Sequence, residues 1–358
     1  MRKKIILVSG GEYGDIYGAR LAAALKNIRP SVNVKRMEGI KWRGADGHPA
    51  GVLKKELAYE KVDCIVLMDQ PCLDPHFIKQ ANIKGITVID YAGSNSGSLK
   101  TGQLKKLTYL LDMALAVFPF EVPLFEEAYI DVEFVGHPLV DIVDTSMSRG
   151  EARDALGFDP TDVPVTLIPG GKKSAARSLL RLMVKGVKEA AEVSKLQVKL
   201  IIPDSEKYDK NLLNELTNIS HGMLTVLKGQ RHMALRASEA AVVSAGTVTL
   251  EATLTGTPML ILQQTSALSN FMSNIMKSFV LYGLPNIILD EPLCPELVRN
   301  DITQKKIMKN AVRLLEGGTR EEIDKGLAEV REKLGPPGTI KRAAEAILRT
   351  IEKAETGN

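Results

Sequence analysis

The stretch from Ser244 to Glu251 is the part of this chain whose residue types and spacing most clearly indicate chemistry. It follows the apolar run 240–243 and passes through Gly246 and Thr247 into a helical pattern. A strand that ends in a glycine turn points the free N–H groups and the positive dipole end of the next helix at a ligand beyond the sheet. We therefore predict a phosphate site here, with Ser244, Gly246 and Thr247 among its binding residues.

Glu251 stands four residues after Thr247, whereas a capping box places its Glu three residues after the Ser or Thr. A carboxylate beside a phosphate site can accept the paired hydrogen bonds of a ribose diol, as acidic residues do in dinucleotide-binding folds. The alternative is a solvated Glu in the first turn, which the helix dipole also favours. Both interpretations stay open at this point, and the ribose contact is the one we expect.

A second glycine turn follows the apolar run 163–168 and contains Gly170, Gly171 and Lys172 before another amphipathic helix. Glycines let the backbone approach an anion closely. Lys172, or the adjacent Lys173, would then neutralise charge that develops on a departing diphosphate. In the alternative interpretation the glycines only turn the chain and the lysines are solvated.

Two residues of the first half are candidates for a general base. Asp69 directly follows the apolar run 64–68, and Pro71 keeps that strand from continuing. His137 lies in the turn after the run 132–135. Either side chain could take the proton of an acceptor hydroxyl if its pKa were suitable. Alternatively, Asp69 closes an Asx turn and His137 is a structural histidine.

The glycine loop after the first apolar run lacks the GxGxxG spacing, so we do not predict a nicotinamide site. These glycines would instead let the loop approach a substrate, with Glu12 or Asp15 hydrogen-bonded to its hydroxyl groups. In the alternative interpretation, Asp15 is the N-cap of a helix that begins at Ile16.

Short apolar runs alternate with helix-length amphipathic segments throughout residues 1–295, which indicates parallel sheets covered on both faces. Residues 141–150 lack apolar periodicity, and we place an interdomain linker there. The fold class we predict is α/β, with two doubly wound Rossmann-like domains facing a central cleft (GT-B type). Their predicted bounds are 1–145 and 150–335; after Pro295 we expect helices throughout, the last of them within 338–358. The strands are expected at 5–8, 32–37, 64–68, 86–91, 115–118, 132–135, 163–168, 198–202, 224–227, 240–243 and 259–262.

Composition excludes several other classes of protein. The net charge of +4 over 358 residues is too small to indicate nucleic acid as the main partner. Cys64, Cys72 and Cys294 lack disulfide or zinc spacing, which favours a reduced, cytoplasmic location. No Asp-x-Asp triplet is present to hold a metal on a diphosphate, and no apolar run approaches the roughly 20 residues of a membrane span. We predict no metal and no cofactor.

Taken together and in order, these segments resemble the lipid-A-disaccharide synthases, which are inverting glycosyltransferases of the two-Rossmann-domain type. The resemblance covers most of the chain. The segments that carry it are Ser9-Gly10-Gly11-Glu12 with Gly14-Asp15, Asp69-Gln70-Pro71, Phe118-Pro119-Phe120-Glu121, Gly136-His137-Pro138 with Asp141, Ile168-Pro169-Gly170, Ser244 to Glu251, and Leu284-Pro285-Asn286.

The resemblance implies a metal-independent, inverting transfer from UDP-2,3-diacylglucosamine to 2,3-diacylglucosamine 1-phosphate through a β1,6 bond, with release of UDP. It implies that Gly170, Gly246, Thr247, Glu251 and Asn286 bind UDP and that Asp69 is the acidic residue that the family needs for catalysis. A glycolipid or amino-sugar acceptor is implied as the second substrate. The resemblance leaves open a peripheral contact with the inner membrane, a homodimer, and a terminal helix that packs back on the first domain.

The chain departs from the family pattern in three places. The loop 92–100 lacks the family's Trp and Arg residues, Gly171 and Lys172 replace the family's Ser and Arg, and only residues 38–61 stand where the family has a longer apolar and basic stretch. Two alternatives therefore stay open. One is a UDP-sugar epimerase of the same fold, and the other is a non-catalytic protein that binds a nucleotide sugar.

Overall fold

The computed structural model describes residues 3–38, 61–68, 75–92, 109–170, 173–264, 281–318 and 320–356. The chain divides into two compact units. The first unit comprises Met1–Asp141 together with Lys333–Asn358, and the second comprises Ile142–Glu332. Within the described ranges, no helix is long and apolar enough to cross a membrane.

In the described part of the first unit, six parallel strands form a sheet in the order β2-β1-β3-β4-β5-β6. The strands are β1 (Lys4–Ser9), β2 (Asn33–Met37), β3 (Cys64–Met68), β4 (Thr87–Tyr91), β5 (Met113–Ala116) and β6 (Val132–Phe134). The helices are α1 (Glu12–Ile28), α2 (Pro75–Ile83), α3 (Glu121–Glu127), α4 (Leu139–Ile142) and, at the end of the chain, α13 (Thr339–Thr356).

Burial explains why these strands form the centre of the first unit. Every residue of β3 and β4 is buried, as expected for parallel strands covered on both faces. One hydrophobic cluster joins Ile65 and Val88 of these strands to Ile78 of α2 and Phe125 of α3. Helix α13 packs against α1, β4 and β5, so the last helix of the chain belongs to the first unit.

The second unit repeats this plan, with six parallel strands among its described residues in the order β12-β11-β10-β7-β8-β9. The strands are β7 (Val163–Ile168), β8 (Val198–Ile202), β9 (Leu224–Val226), β10 (Ala240–Ser244), β11 (Met259–Gln263) and β12 (Glu296–Val298). The helices are α5 (Arg149–Ala155), α6 (Lys173–Ser194), α7 (Lys210–Ser220), α8 (Arg231–Ala237), α9 (Val248–Thr255), α10 (Leu284–Leu289), α11 (Gln304–Leu315) and α12 (Arg320–Lys333). The predicted pair of doubly wound α/β halves is confirmed.

Two predictions about the elements are wrong. We expected only helices after Pro295, but β12 begins at the next residue and extends the sheet, with Ile261 of β11 paired to Glu296. A strand of three residues is too short to show an apolar alternation of its own. Helix α1 begins at Glu12 with Gly11 as its N-cap, and not near Ile16, because its first turn is polar and shows no helical periodicity.

Candidate functional site

The loop between β10 and α9 has the geometry of an anion site. Gly246 adopts a φ of +130°, which favours glycine, and a Cβ added there would meet no atom within 4 Å. Thr249 donates its hydroxyl to the carbonyl of Gly246 at 2.7 Å and so fixes the turn. Among the described residues, no group accepts a hydrogen bond from the N–H of Gly246, Thr247 or Val248. These donors and the α9 dipole are available to an anionic ligand.

The glycine turn after β7 lies against the same loop. Strand β7 pairs with β10, with Ile168 opposite Val243, so the segments that follow the two strands leave the sheet side by side. Gly170 has a φ of +56°, and a Cβ at this position would lie 2.9 Å from the Cβ of Ser244. The two turns therefore adjoin, and only glycine permits this close approach. Gly171 and Lys172 lie outside the described residues.

Glu251 is buried in the first turn of α9, with only 3% of its surface exposed. Its carboxylate faces Arg231, whose Nη1 lies 3.4 and 3.3 Å from Oε1 and Oε2. His232 Nε2 lies 3.3 Å from Oε1. The interpretation of Glu251 as a solvated residue is therefore wrong. A buried carboxylate needs compensating partners, and these two side chains provide them.

Sequence reasoning missed Arg231, His232 and their neighbour Asp204. Arg231 is the first residue of α8 and donates Nε to Oδ2 of Asp204 at 2.7 Å, so it bridges two carboxylates. In the sequence, Gly229 marks a turn after β9. In the structure, Gln230 adopts a φ of +61° and Asp204 a φ of +53°. Backbone in the left-handed region clusters at functional sites.

Asn286 does not present its side chain to this site. It is fully buried, and its amide nitrogen donates to the Cys294 carbonyl at 2.8 Å and to Glu296 Oε1 at 2.7 Å. Its oxygen accepts from the Cys294 N–H at 2.8 Å. With these bonds made, Asn286 links α10 to the start of β12. This geometry argues against the direct UDP contact that we predicted for it.

In the first unit, Glu12 is exposed in the first turn of α1. Asp15 is not an N-cap, because α1 begins before it, and this alternative is wrong; its carboxylate instead accepts a hydrogen bond from Ser9. Asp69 lies outside the described residues. The strand before it, β3, lies between β1 and β4, in the middle of the sheet.

His137 is buried among aromatic rings, with only 4% of its surface exposed. Its ring centroid lies 6.0 Å from that of Tyr17 on α1 and 5.1 Å from that of Phe118. Burial lowers the pKa of His137 to about 3, so the imidazole is neutral near pH 7. The N–H of Leu139 donates to Nδ1 at 3.2 Å, which assigns the proton to Nε2. His137 is therefore arranged as a hydrogen-bond donor and is a poor base.

Sequence reasoning did not predict that two buried carboxyl groups interact, Asp90 near the end of β4 and Glu121 at the start of α3. Asp90 is 8% exposed, and burial together with the charge of Glu121 raises its pKa to about 7. Glu121 Oε2 accepts from the N–H groups of Val117 and Phe118 at 2.9 and 3.0 Å. The available signal was an acid within the apolar strand run 86–91. Among the described residues, no cluster of three or more His, Cys, Asp or Glu side chains could hold a metal ion.

The fold is shared with solved structures of a UDP-GlcNAc 2-epimerase and of a glycosyltransferase. UDP-GlcNAc 2-epimerase from Neisseria meningitidis, solved with UDP-GlcNAc, superposes with a TM-score of 0.66 at 13% identity and covers 97% of this chain and 100% of its own. WaaG, a glycosyltransferase involved in lipopolysaccharide biosynthesis, superposes with a TM-score of 0.56 at 13% identity, covering 96% and 99%. At such low identity these similarities show the fold alone, and the glycosyltransferase fold type predicted from the sequence is confirmed.

Sequence comparison is more specific. Lipid-A-disaccharide synthase from Syntrophus aciditrophicus is 29% identical over 99% of this chain and 100% of its own length. The enzyme of the same name from Geobacter metallireducens is 29% identical over 98% of both chains. The family profile described as lipid-A-disaccharide synthetase matches residues 50–350. The chain therefore belongs to the lipid-A-disaccharide synthase family.

Proposed function

We propose that this protein joins UDP-2,3-diacylglucosamine to 2,3-diacylglucosamine 1-phosphate and releases UDP. The observation that carries the proposal is the match to the family over residues 50–350. The geometry of the second unit supports it, because adjoining glycine turns, a helix N-terminus and a buried carboxylate suit a nucleoside diphosphate.

In this proposal the diphosphate lies at the N-terminus of α9, beside Gly170 and Gly246, and Glu251 accepts the hydrogen bonds of the ribose diol. The acceptor's 6-hydroxyl oxygen attacks the anomeric carbon, and the bond from that carbon to the β-phosphate oxygen breaks. In-line attack inverts the anomeric centre. The helix dipole and Lys172 stabilise the negative charge on the departing UDP, which gives metal-independent transfer.

Asp69 is the proposed base that takes the hydroxyl proton. His137, which is neutral with its proton on Nε2, is proposed to donate a hydrogen bond within the acceptor half, and Glu12 to accept one from an acceptor hydroxyl. Contact with acyl chains at the cytoplasmic face of the inner membrane and a homodimer belong to the same proposal. Co-sedimentation with lipid vesicles and analytical ultracentrifugation test these last two points.

The experiment is product analysis by mass spectrometry after incubation of UDP-2,3-diacylglucosamine with and without 2,3-diacylglucosamine 1-phosphate. The wild-type protein should form the disaccharide and UDP only when the acceptor is present. Asp69→Ala should abolish the product while UDP affinity stays nearly unchanged. The matched control is Asp131→Ala, at an exposed aspartate of the same unit, which should retain full turnover.

Each contrary outcome removes a defined part of the proposal. An isomeric UDP-sugar formed without acceptor would instead indicate an epimerase. Binding of donor without any turnover would indicate a non-catalytic protein. Retained turnover in Asp69→Ala would remove Asp69 from the role of base and leave the overall reaction in place.

A further inference from the structure

A chain of charged side chains connects three loops at the carboxyl ends of β8, β9 and β10. Asp204 follows β8, Arg231 follows β9, and Glu251 follows β10. Arg231 donates Nε to Asp204 Oδ2 at 2.7 Å, and its Nη2 donates to the same oxygen. On its other side, Arg231 Nη1 reaches both oxygens of Glu251. The ring nitrogen Nε2 of His232 lies 3.3 Å from Oε1 of the same carboxylate.

The hydrogen bonds from Arg231 to its two carboxylate partners differ in length. The contacts between Arg231 and Asp204 are short, whereas those to Glu251 measure 3.3 to 3.4 Å. A carboxylate can accept about four hydrogen bonds, so these long contacts leave Glu251 with capacity for further donors. Arg231 is thus held by Asp204, and it supplies Glu251 with a positive charge without saturating the carboxylate.

The backbone supports a dedicated arrangement of these loops. Asp204 has a φ of +53° and Gln230, next to Arg231, has a φ of +61°. L-residues rarely adopt this conformation, and the surrounding structure must impose it. The N–H of Ser205 donates to the carbonyl of Leu227 at 2.8 Å, which ties the two loops together. Both loops are thereby shaped so that the Arg231 guanidinium reaches Glu251.

We propose that Arg231, held by Asp204, is a positioning residue for Glu251 and gives the nucleotide site its preference for ribose over 2′-deoxyribose. The inference rests on the proposed function, because its ligand is UDP. With 3% of its surface exposed, Glu251 has little access to solvent, and the adjacent Arg231 guanidinium fixes the orientation of its carboxylate. Without the guanidinium, the carboxylate no longer presents two acceptor atoms to the diol.

A purely structural role for Arg231 predicts a different result. If the residue only tied the loops together, its loss would weaken UDP and 2′-deoxy-UDP by the same factor. A positioning role predicts a selective loss of UDP affinity, because only UDP carries the 2′-hydroxyl that Glu251 recognises. The ratio of the two dissociation constants separates these roles.

The experiment measures the Kd of UDP and of 2′-deoxy-UDP by isothermal titration calorimetry. Wild-type protein should bind UDP about tenfold or more tightly than the deoxy form, as expected for one hydrogen bond to a charged group. Arg231→Met should bring the ratio close to one. Arg231→Lys keeps the charge but loses the planar guanidinium that donates two hydrogen bonds to Asp204, so it should give an intermediate ratio of the two Kd values. The matched control is Arg177→Met, which removes the exposed ion pair with Asp209 in the same unit and should keep the wild-type ratio.

Circular dichroism and thermal unfolding of each variant show whether it is folded; if Arg231→Met is not, Arg231→Lys decides the question. An unchanged ratio in a folded Arg231 variant overturns the inference, as does equal affinity of the wild-type protein for the two nucleotides. The second result would also remove the ribose contact proposed for Glu251, but both results leave the proposed transfer reaction in place. Failure of the wild-type protein to bind UDP at all would overturn the proposed function, and the inference with it.

Discussion

Replacing Asp90 by Asn should make the stability of this protein less dependent on pH. In the folded state burial and the neighbouring Glu121 raise the pKa of Asp90 from 3.8 to about 7. Below about pH 4 both the folded and the unfolded chain hold this proton. Between pH 4 and 7 only the folded chain does, so the free energy of unfolding falls as the pH rises through this window. Above pH 7 this decrease in the free energy of unfolding is complete.

The size of this loss follows from the two pKa values. At about 1.36 kcal/mol per pH unit, the interval between 3.8 and about 7 corresponds to roughly 4 kcal/mol. Roughly 3 kcal/mol of this loss falls between pH 5 and 8. Because Asp90 and Glu121 interact, the loss is a property of the pair.

The assay is urea unfolding at pH 5, 6, 7 and 8 for wild-type protein, Asp90→Asn and Asp131→Asn. Asp90→Asn should gain stability relative to the wild type as the pH rises, by roughly 3 kcal/mol at pH 8 compared with pH 5. The exposed Asp131 serves as the control and should follow the wild-type curve. A stability difference between Asp90→Asn and wild type that stays constant with pH would refute the reasoning.

Three further predictions concern other parts of the molecule. Asp141→Ala should destabilise the first unit by roughly 1 to 3 kcal/mol in urea unfolding, because Asp141 accepts from the N–H groups of Gly338 and Ile340 at 2.7 and 2.9 Å at the start of α13; an unchanged midpoint would contradict this. His137 should show no protonation between pH 5 and 8 in an NMR titration, because its pKa is about 3, and a midpoint near 6.5 would refute the burial assigned to it. Gly170→Ala should weaken UDP binding and cost roughly 1 to 3 kcal/mol in stability, since its Cβ would lie 2.9 Å from that of Ser244. The control is Gly157→Ala. Gly157 has a φ of +73° and no atom within 4 Å of an added Cβ, so this variant measures the loss of stability due to backbone conformation without a steric contact.

The strands were predictable wherever burial on both faces produced a continuous apolar run. The bounds of β3, β7 and β8 agree with the prediction residue by residue. Strand β5 begins at Met113, earlier than the predicted 115, because flanking apolar residues blur its ends. β12 could not be predicted, since three residues carry no period and its pairing with β11 depends on the folded sheet.

The candidate site was predictable only where its residues are close together in the sequence. The turn at Gly246 and the first-turn position of Glu251 follow from one local pattern. Asp204 and Arg231 are 27 positions apart, and only the order of the strands brings them to Glu251. The same is true of Asp141, whose hydrogen bond to Gly338 spans 197 positions. Long-range partners of this kind leave no spacing signal.

The measurement that tests the central claim most directly is the release of UDP from UDP-2,3-diacylglucosamine, followed as 2,3-diacylglucosamine 1-phosphate is titrated into the reaction. The proposed function predicts that UDP appears only with acceptor, at one UDP for each disaccharide formed. UDP release that is independent of the acceptor, or conversion of the donor to an isomer with no UDP released, would contradict it.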